Sequence, residues 1–575
     1  MTDDIAEAAY SSAPGWSGAA TDTVNRLFDA RLAQSPDRDF LDFSGETYTY
    51  RRLDDESMAL AHGLRALGVK KGDTVLSMLD NGAAPTVLMF ALFRLGAIHV
   101  GINTALKGEF LRHQITDTGA AILIAESDYA GRILALGDKL PEATHLFVLG
   151  RLPEARPARL HLDRFDALAQ AGPLERIAVE VLPQDLALLV YTGGTTGPSK
   201  GCMISHNYAC SLGRQCVGLS QFSETDTLWT PLPNFHFNLI ASTIIAMMMV
   251  GGKAAIYRKF SLSNFWPEIE RTRATRASLM GAMAPLIAQA PDTEVSRRCY
   301  GQLIGLSTAP MTVELAATLR ERFGIPFASA GAFGLTECSL LTATPPGAKP
   351  PPNACGRRND HFDLRIFDDS DRELPPGEAG EIVCRPLKPH VMFEGFWRRP
   401  KETLALWRNG WFHTGDIGRM DQDGFLYVTD RKKELLKTSG GKMIAPQPIE
   451  SKLNNSLLVA NSVVVGDRHK FICALIAPNF PALENLARQQ GIAFASRTEL
   501  VNHPAMRAAY EAVVHSVNQG LANFETIKRF HLVPDEWSMG SGEFTPTMKL
   551  RRRVVVDRYA AEIAAFYHDE ATASR

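Results

Sequence analysis

The chain of 575 residues is 45% hydrophobic and 22% charged, the composition of an ordinary globular protein of several domains. Its formal net charge of -2 leaves no electrostatic case for nucleic acid or an anionic membrane surface as a partner. The 8 cysteines include no CxxC pair, which speaks against a zinc site and for free thiols in a reducing compartment.

Residues 1–20 are acidic and rich in Ala and Ser, and lack the basic start and apolar core of a signal peptide. A disordered N-terminus and a cytoplasmic protein are expected. Thr23 to Ala33 reads as a helix, Thr47 to Tyr50 as a short strand, and Arg51 to Gly68 as a helix. Strands follow at Val75–Leu79, Ala97–Ile102, Ala121–Ala125 and His145–Leu149, with helices at Ala84–Gly96 and Gly108–Asp117 between them. That alternation is the pattern of α/β layers with largely parallel strands. Residues 151–180, rich in Pro, Arg and Leu, read as an irregular connection.

An apolar run, Leu186 to Val190, then leads into Tyr191-Thr-Gly-Gly-Thr-Thr-Gly-Pro-Ser-Lys-Gly201, and Ser205 is placed to cap a following helix. Glycines let the backbone curl so that successive N–H groups face inward, threonine hydroxyls add donors, and Lys200 adds a full charge. These are the parts of a polyphosphate cradle. It is not a Walker A loop, because Gly201 stands where that loop needs Ser or Thr. Leu239 to Val250 is too short to span a bilayer, which takes about 20 residues, and reads as a buried helix.

A second α/β run extends from Asp226 to about Ala343, with strands near Ala254–Tyr257, Ala277–Met280, Leu303–Leu306 and Pro326–Ser329. Prolines between Pro345 and Pro352 break it. The alternation in Phe362-Asp-Leu-Arg-Ile-Phe367 opens a β-rich, barrel-like segment. After the polar run Asp430-Arg-Lys-Lys433 come a helix at Pro448–Leu453, strands at Asn461–Val465 and Phe471–Ile476, and helix to Asn518. The expected architecture is α/β: a domain at 21–430 of two layered α/β units plus the β-rich one, and a small mobile α+β domain at 431–575.

Several short stretches carry chemistry. In Ala330-Gly-Ala-Phe-Gly-Leu-Thr-Glu337, Phe333 offers a ring to a base, Thr336 a donor to a phosphoryl oxygen, and Glu337 a hard oxygen ligand for magnesium. In Trp411-Phe-His-Thr-Gly-Asp416, a carboxylate at a tight turn can accept hydrogen bonds from two ribose hydroxyls. Gly305-Leu-Ser-Thr-Ala-Pro310 is a small-residue loop one strand earlier. Asp430 to Glu450 places a basic run beside Gly440-Gly441, and Glu543-Phe-Thr-Pro-Thr-Met-Lys549 presents a lysine near the C-terminus. No GxSxG nucleophile elbow is present.

The loop Tyr191–Gly201 resembles the phosphate loop of the adenylate-forming superfamily, which includes acyl-CoA synthetases, peptide-synthetase adenylation domains and beetle luciferases. The other motifs resemble that superfamily's, in its order, over roughly Asp29 to Arg553. The resemblance implies an ATP-dependent acid–CoA ligase that uses ATP, magnesium and CoA on a carboxylic acid. By it, Thr192, Gly193, Gly194, Thr195, Thr196, Gly197 and Lys200 hold phosphates. Thr308, Ala309, Gly331, Ala332 and Phe333 hold adenine, and Asp416 and Arg431 the ribose. Thr336, Glu337 (the magnesium ligand), His236 and Lys549 take part in catalysis. Lys433 is the pivot of a hinge, and Ser439, Gly440 and Gly441 border the thiol tunnel once the C-terminal domain has turned. Phe333 stands where Tyr is usual, and Met548 where Gly more often precedes the final lysine.

The acyl pocket implied by the resemblance involves Phe235, His236, Gly281, Ala282 and Gly305. No Lys or Arg lies in these segments, which favours a hydrophobic monocarboxylic acid. The small residues Gly281, Ala282 and Ala284 tilt the expectation to an aryl or aryl-alkanoic acid over a straight fatty acid. His236 reads equally as a buried structural histidine. Two rivals stand beside the ligase: an adenylation enzyme that loads a carrier protein in trans, and a nucleotide-binding regulator with a dead site. Joint retention of Lys200, Glu337, Asp416, Arg431 and Lys549 argues against the regulator.

Overall fold

The computed structural model describes residues 21–154, 159–169, 175–193, 198–281, 283–308, 311, 313–329, 331–344, 348, 350–440, 442–538, 540–545 and 549–568. The expectations for residues 1–20 and for Gly194, Thr195, Thr196, Gly197, Ala282, Ala309 and Gly441 lie outside the described residues.

Two seven-stranded sheets form the bulk of the chain. The first runs His161–Arg164, His145–Leu149, Ile122–Glu126, Thr74–Met78, Ile98–Gly101, Leu186–Thr192, Lys200–Ser205, parallel except for its last strand. The second runs Phe327–Ser329, Gly305–Ser307, Arg276–Ser278, Thr227–Thr230, Lys253–Ile256, Asp39–Phe43, Glu46–Thr49, again parallel except for its last strand. The early hairpin Asp39–Thr49 therefore completes the later sheet. Residues 151–180 are also more regular than expected, since His161–Arg164 adds an edge strand to the first sheet.

One apolar core lies between the two sheets. Leu41, Leu228 and Ile256 enter it from the second sheet, and Val75, Leu188 and Val190 from the first, around helices that carry Leu88, Phe93, Tyr208 and Met247. Removal of this surface from water is the main term that holds the sheets together. Local chemistry sets the helix starts: Thr49 accepts from Arg52 N at 3.1 Å to open Tyr50–Ala66, and Ser205 accepts from Tyr208 N at 3.2 Å to open His206–Ser220. Leu239 to Val250 is helical and buried apart from Ser242, but it begins as a π-helix over Asn238–Ile245 before continuing as Ala246–Val250. Among the described residues no helix is long and apolar enough to cross a membrane.

The β-rich segment is an antiparallel sheet of Phe362–Phe367, Gly380–Pro386, Trp411–Met420, Trp407–Arg408 and Leu426–Arg431. Beyond it, Val459–Val465, Ile472–Pro478 and Ile527–Leu532 form a separate sheet with apolar cover on both faces. Ile472, Ala474 and Ile476 face one cluster and Cys473, Leu475 and Ala477 the other, the period of two that a doubly covered strand requires.

Candidate active site

The strands on either side of residues 193–199 pair antiparallel. Thr192 lies opposite Lys200 in register, and the strand Lys200–Ser205 stands between the loop and the helix that Ser205 caps. The sequence led from loop to helix directly; the extra strand pairs antiparallel because only residues 193–199 separate it from Leu186–Thr192, too few for a parallel crossover. Lys200 Nζ is 5.0 Å from the centre of the Phe396 ring.

Ala332–Leu335 and Ser339–Ala343 form a second hairpin, and Thr336 and Glu337 occupy its turn. Two bonds clamp that turn: Tyr208 Oη donates to Thr336 O at 2.8 Å, and Phe393 N donates to Glu337 O at 2.9 Å. Burial raises the pKa of Glu337, against the pull of Arg431, Lys549 and Lys200. A carboxylate among three cations from three separate segments is an anion-handling site with one oxygen ligand at its centre. Among the described residues no group of three or more His, Cys, Asp or Glu side chains gathers to hold a metal. A single acidic ligand fits magnesium, which keeps waters and takes one or two carboxylates with substrate phosphates.

Asp416 lies inside the strand Trp411–Met420, not at a free turn, and the strand kinks at Gly415, whose φ is +73°. Across the ladder it faces Arg431, with Arg431 Nε 2.9 Å from Asp416 Oδ1. Asp416 is 5% exposed, and its Oδ2 has no hydrogen-bond partner. Burial pushes its pKa up to about 6; Arg431 and Lys549 pull it down, and Glu337 and Asp430 push it up. An unpaired buried oxygen costs free energy unless something satisfies it. Thr308, which ends the strand Gly305–Ser307, is likewise buried with its Oγ1 unpaired. Buried polar atoms left in this state suit a hydroxyl-rich ligand.

Lys549 is bonded to Thr545, with Lys549 N donating to Thr545 Oγ1 at 3.0 Å and Thr545 N donating to Lys549 O at 2.8 Å. Burial and the charge of Arg431 lower its pKa; Glu337 and Asp416 raise it. Burial, with repulsion from Lys549, holds the imidazole of His236 down at about 4, so His236 is neutral near pH 7. Lys549 thus shares one electrostatic neighbourhood with Glu337, Asp416, Arg431 and His236.

Not every expected residue joins this cluster. Lys433 is exposed, and Ser439 and Gly440 are exposed in the turn between Leu436–Lys437 and Met443–Ile444, where Ser439 N donates to His469 O at 2.9 Å. Gly281 is exposed, with nothing within 4 Å of where a Cβ would be. The pocket expected around Gly305 is corrected: a Cβ there would meet Arg276 Nη1 at 2.8 Å, so the arginine fills the space and pairs with Asp226. Ala284 is fully buried in the core on the outer face of the second sheet. Of the small residues expected at the pocket floor, Gly281 is thus exposed and Ala284 is core.

Sequence reasoning missed supporting groups that only the fold assembles. Glu381, 5% exposed, accepts from Lys432 Nζ at 3.0 Å and from Gly415 N at 3.2 Å. Asp430 Oδ2 accepts from Gln447 N at 2.9 Å, which ties the strand Leu426–Arg431 to the first turn of Pro446–Asn454. Single acidic residues in loops and strands carry no local pattern that would mark them.

A family model described as AMP-binding enzyme matches residues 28–397, and one described as AMP-binding enzyme C-terminal domain matches residues 433–571. A long-chain-fatty-acid–CoA ligase of Mycobacterium tuberculosis is 29% identical over 569 residues, covering 89% of this chain and 91% of its own. Feruloyl-CoA synthase of an Amycolatopsis species is 29% identical, covering 76% of this chain and 84% of its own. Among solved structures, ATP-bound MatB from Rhodopseudomonas palustris has a TM-score of 0.74 at 25% identity, covering 93% of this chain and 98% of its own.

Proposed function

The chain belongs to the AMP-binding enzyme family, and from that premise we propose that it activates a hydrophobic monocarboxylic acid as its adenylate and passes the acyl group to CoA. It is an AMP-forming acid–thiol ligase whose co-substrates are ATP and CoA, with magnesium. The observation that supports the finer reading is the electrostatic neighbourhood that Lys549 shares with Glu337, Asp416, Arg431 and His236.

The chemistry follows from the poor electrophilicity of a carboxylate. Its oxygen attacks the α-phosphorus of ATP, a new P–O bond forms, and pyrophosphate leaves. The CoA sulfur then attacks the acyl carbon and AMP departs with the bonding electrons. Neither step needs a protein nucleophile, so catalysis is positioning and charge stabilisation. Lys549 neutralises charge at the α-phosphate, and Lys200 takes the outer phosphates. Magnesium, when bound at Glu337, offsets charge on the leaving pyrophosphate. Asp416 and Arg431 hold the ribose, Phe333 packs on adenine, and neutral His236 lines the carboxylate end of the acid site. The same reading divides the chain into 21–430 and 431–575, with rotation about Lys433 exchanging Lys549 for the Ser439–Gly441 strip between steps.

A monocarboxylic acid is favoured because the two cations that follow Tyr257, whose carbonyl Asn81 ties to the Asn234 loop, are already paired. Arg258 Nη2 lies 3.0 Å from Asp80 and 2.6 Å from Glu126, and Lys259 Nζ lies 3.1 Å from Asp80. An alkyl acid is placed ahead of an aryl one. Of the small residues that favoured a ring, Gly281 is exposed and Ala284 lies in the core, and the relative with the wider coverage is named for long-chain acids. Pyrophosphate release measured across a panel of acids, then with CoA or a carrier protein added, tests the reading. Acid-independent ATP turnover, or thioester formed on a carrier protein only, overturns it.

A further inference from the structure

Asn81 ends the turn after the strand Thr74–Met78 of the first sheet, and its side chain reaches entirely into the second. Asn81 Nδ2 donates to Leu232 O at 2.7 Å and to Tyr257 O at 3.0 Å, and Asn81 Oδ1 accepts from Asn234 N at 2.8 Å. Asn234 returns the link, its Nδ2 donating to Leu79 O at 2.9 Å. The two side chains are 7% and 9% exposed, so each bond is made away from water, where losing one leaves a buried polar group unpaired. Leu232 and Asn234 follow the strand Thr227–Thr230, and Tyr257 follows Lys253–Ile256. One amide therefore joins the C-terminal ends of strands from both sheets.

The loop that Asn81 holds is the one that carries Phe235 and His236. His236 N donates to Pro233 O at 3.0 Å, and the rings of Phe235 and His236 lie 4.8 Å apart. From the other side the loop rests on Gly101, where a Cβ would stand 3.4 Å from Phe235 Cα and 3.6 Å from Asn234 O. The segment is thus bonded from one side and packed against bare backbone on the other.

We propose that Asn81 is a positioning residue for the acid site: by fixing the Leu232–His236 backbone it sets where Phe235 and His236 meet the substrate, and so which acids are accepted. This rests on the ligase reading above. Nothing in the network touches Lys200, Asp416, Arg431 or Thr308, so its loss acts on the acid and spares the nucleotide.

The test measures kinetic constants for acid and ATP separately, with acids of several lengths and ring sizes, in the full chain, alongside thermal melting. Asn81→Ala is expected to raise KM for the acid by about ten- to a hundredfold, the scale of a misplacement near 1 Å, with KM for ATP within about twofold. Gly101→Ala keeps every hydrogen bond and adds one methyl beneath Phe235. It is expected to melt like the natural chain and to change the ranking of acids by about threefold or more, on the scale of a methylene's burial, while KM for ATP stays unchanged. Equal losses for acid and ATP in Asn81→Ala, or an unchanged acid ranking in a folded Gly101→Ala, overturn the proposal. If the natural chain itself shows no acid-dependent pyrophosphate release, it is the ligase reading that fails.

Discussion

Asp416 and Arg431 face each other across two antiparallel strands, with Arg431 Nε 2.9 Å from Asp416 Oδ1 and the other carboxylate oxygen bonded to nothing. The arginine orients the carboxylate and leaves one oxygen for a ligand. Arg431 is half exposed, so it also has donors left for the same ligand.

That arrangement predicts a pH dependence. The folded-state pKa of Asp416 is raised to about 6, above its ordinary value of 3.8, chiefly by burial. A carboxyl whose folded pKa is raised contributes stability below its unfolded pKa and loses it as pH rises through the folded one. Natural protein should therefore lose stability relative to Asp416→Asn between pH 4 and 7, read as a falling difference in melting temperature. Ligand binding has the opposite sign, because the carboxylate is the better acceptor. Adenosine, which has no phosphate to titrate, should bind more weakly as pH falls below about 6, by up to about tenfold per unit. A flat profile in the natural chain, or the same slope in Asp416→Asn, would remove Asp416 from the ribose site.

Lys549→Ala should cripple adenylation and spare the second step. Loss of one charge-stabilising donor costs about 10²–10³ in rate. Supplied with pre-made acyl-adenylate and CoA, the variant should form thioester at close to the natural rate. Lys433→Pro fixes φ at the pivot and should slow overall turnover while a single round of adenylation continues. If thioester formation in Lys549→Ala falls as far as adenylation, the two-arrangement reading is wrong.

Glu337 and Asp416 should be separable by magnesium. Glu337→Gln removes the anionic ligand and should raise the magnesium concentration for half-maximal pyrophosphate release by about tenfold, a loss near 1.4 kcal/mol. Asp416→Ala should weaken ATP and AMP alike, with the magnesium curve unmoved. Identical magnesium profiles in both variants would defeat one of the two assignments.

Much of this was legible before folding. Period-two and helical patterns located most of the parallel strands, and the Ser205 cap appeared where local chemistry put it. The motif order assembled Lys200, Glu337, Asp416, Arg431 and Lys549 from segments far apart in the chain. What was illegible depends on pairing at a distance. The hairpin Asp39–Thr49 joins a sheet built by much later residues. Thr227–Thr230, buried throughout, was passed over because so short a run has no period to read. Gly305 read as room for substrate because a glycine in sequence does not show what occupies its missing side chain; here it is Arg276. Asn81 was invisible for a related reason, since its partners are backbone groups of another sheet.

The identity of the acid is the sharpest remaining prediction. An alkyl tunnel buries successive methylenes at about 0.8 kcal/mol each, which is roughly a fourfold rise in kcat/KM per carbon until the tunnel is full. A compact aryl pocket would instead peak at one ring size and fall on either side. Of the expected small-residue floor, Gly281 is exposed and Ala284 lies in the core, and Arg276 stands beside Gly305. What remains after His236 is an apolar, largely buried helix that opens with a π-helical stretch, Asn238–Ile245, a form found frequently at functional sites. A series of straight acids from C6 to C16, run beside substituted benzoic, cinnamic and phenylalkanoic acids, should show kcat/KM climbing steadily past C12. A maximum among the aryl acids, with no gain along the alkyl series, would reverse the preference while leaving the adenylating chemistry in place.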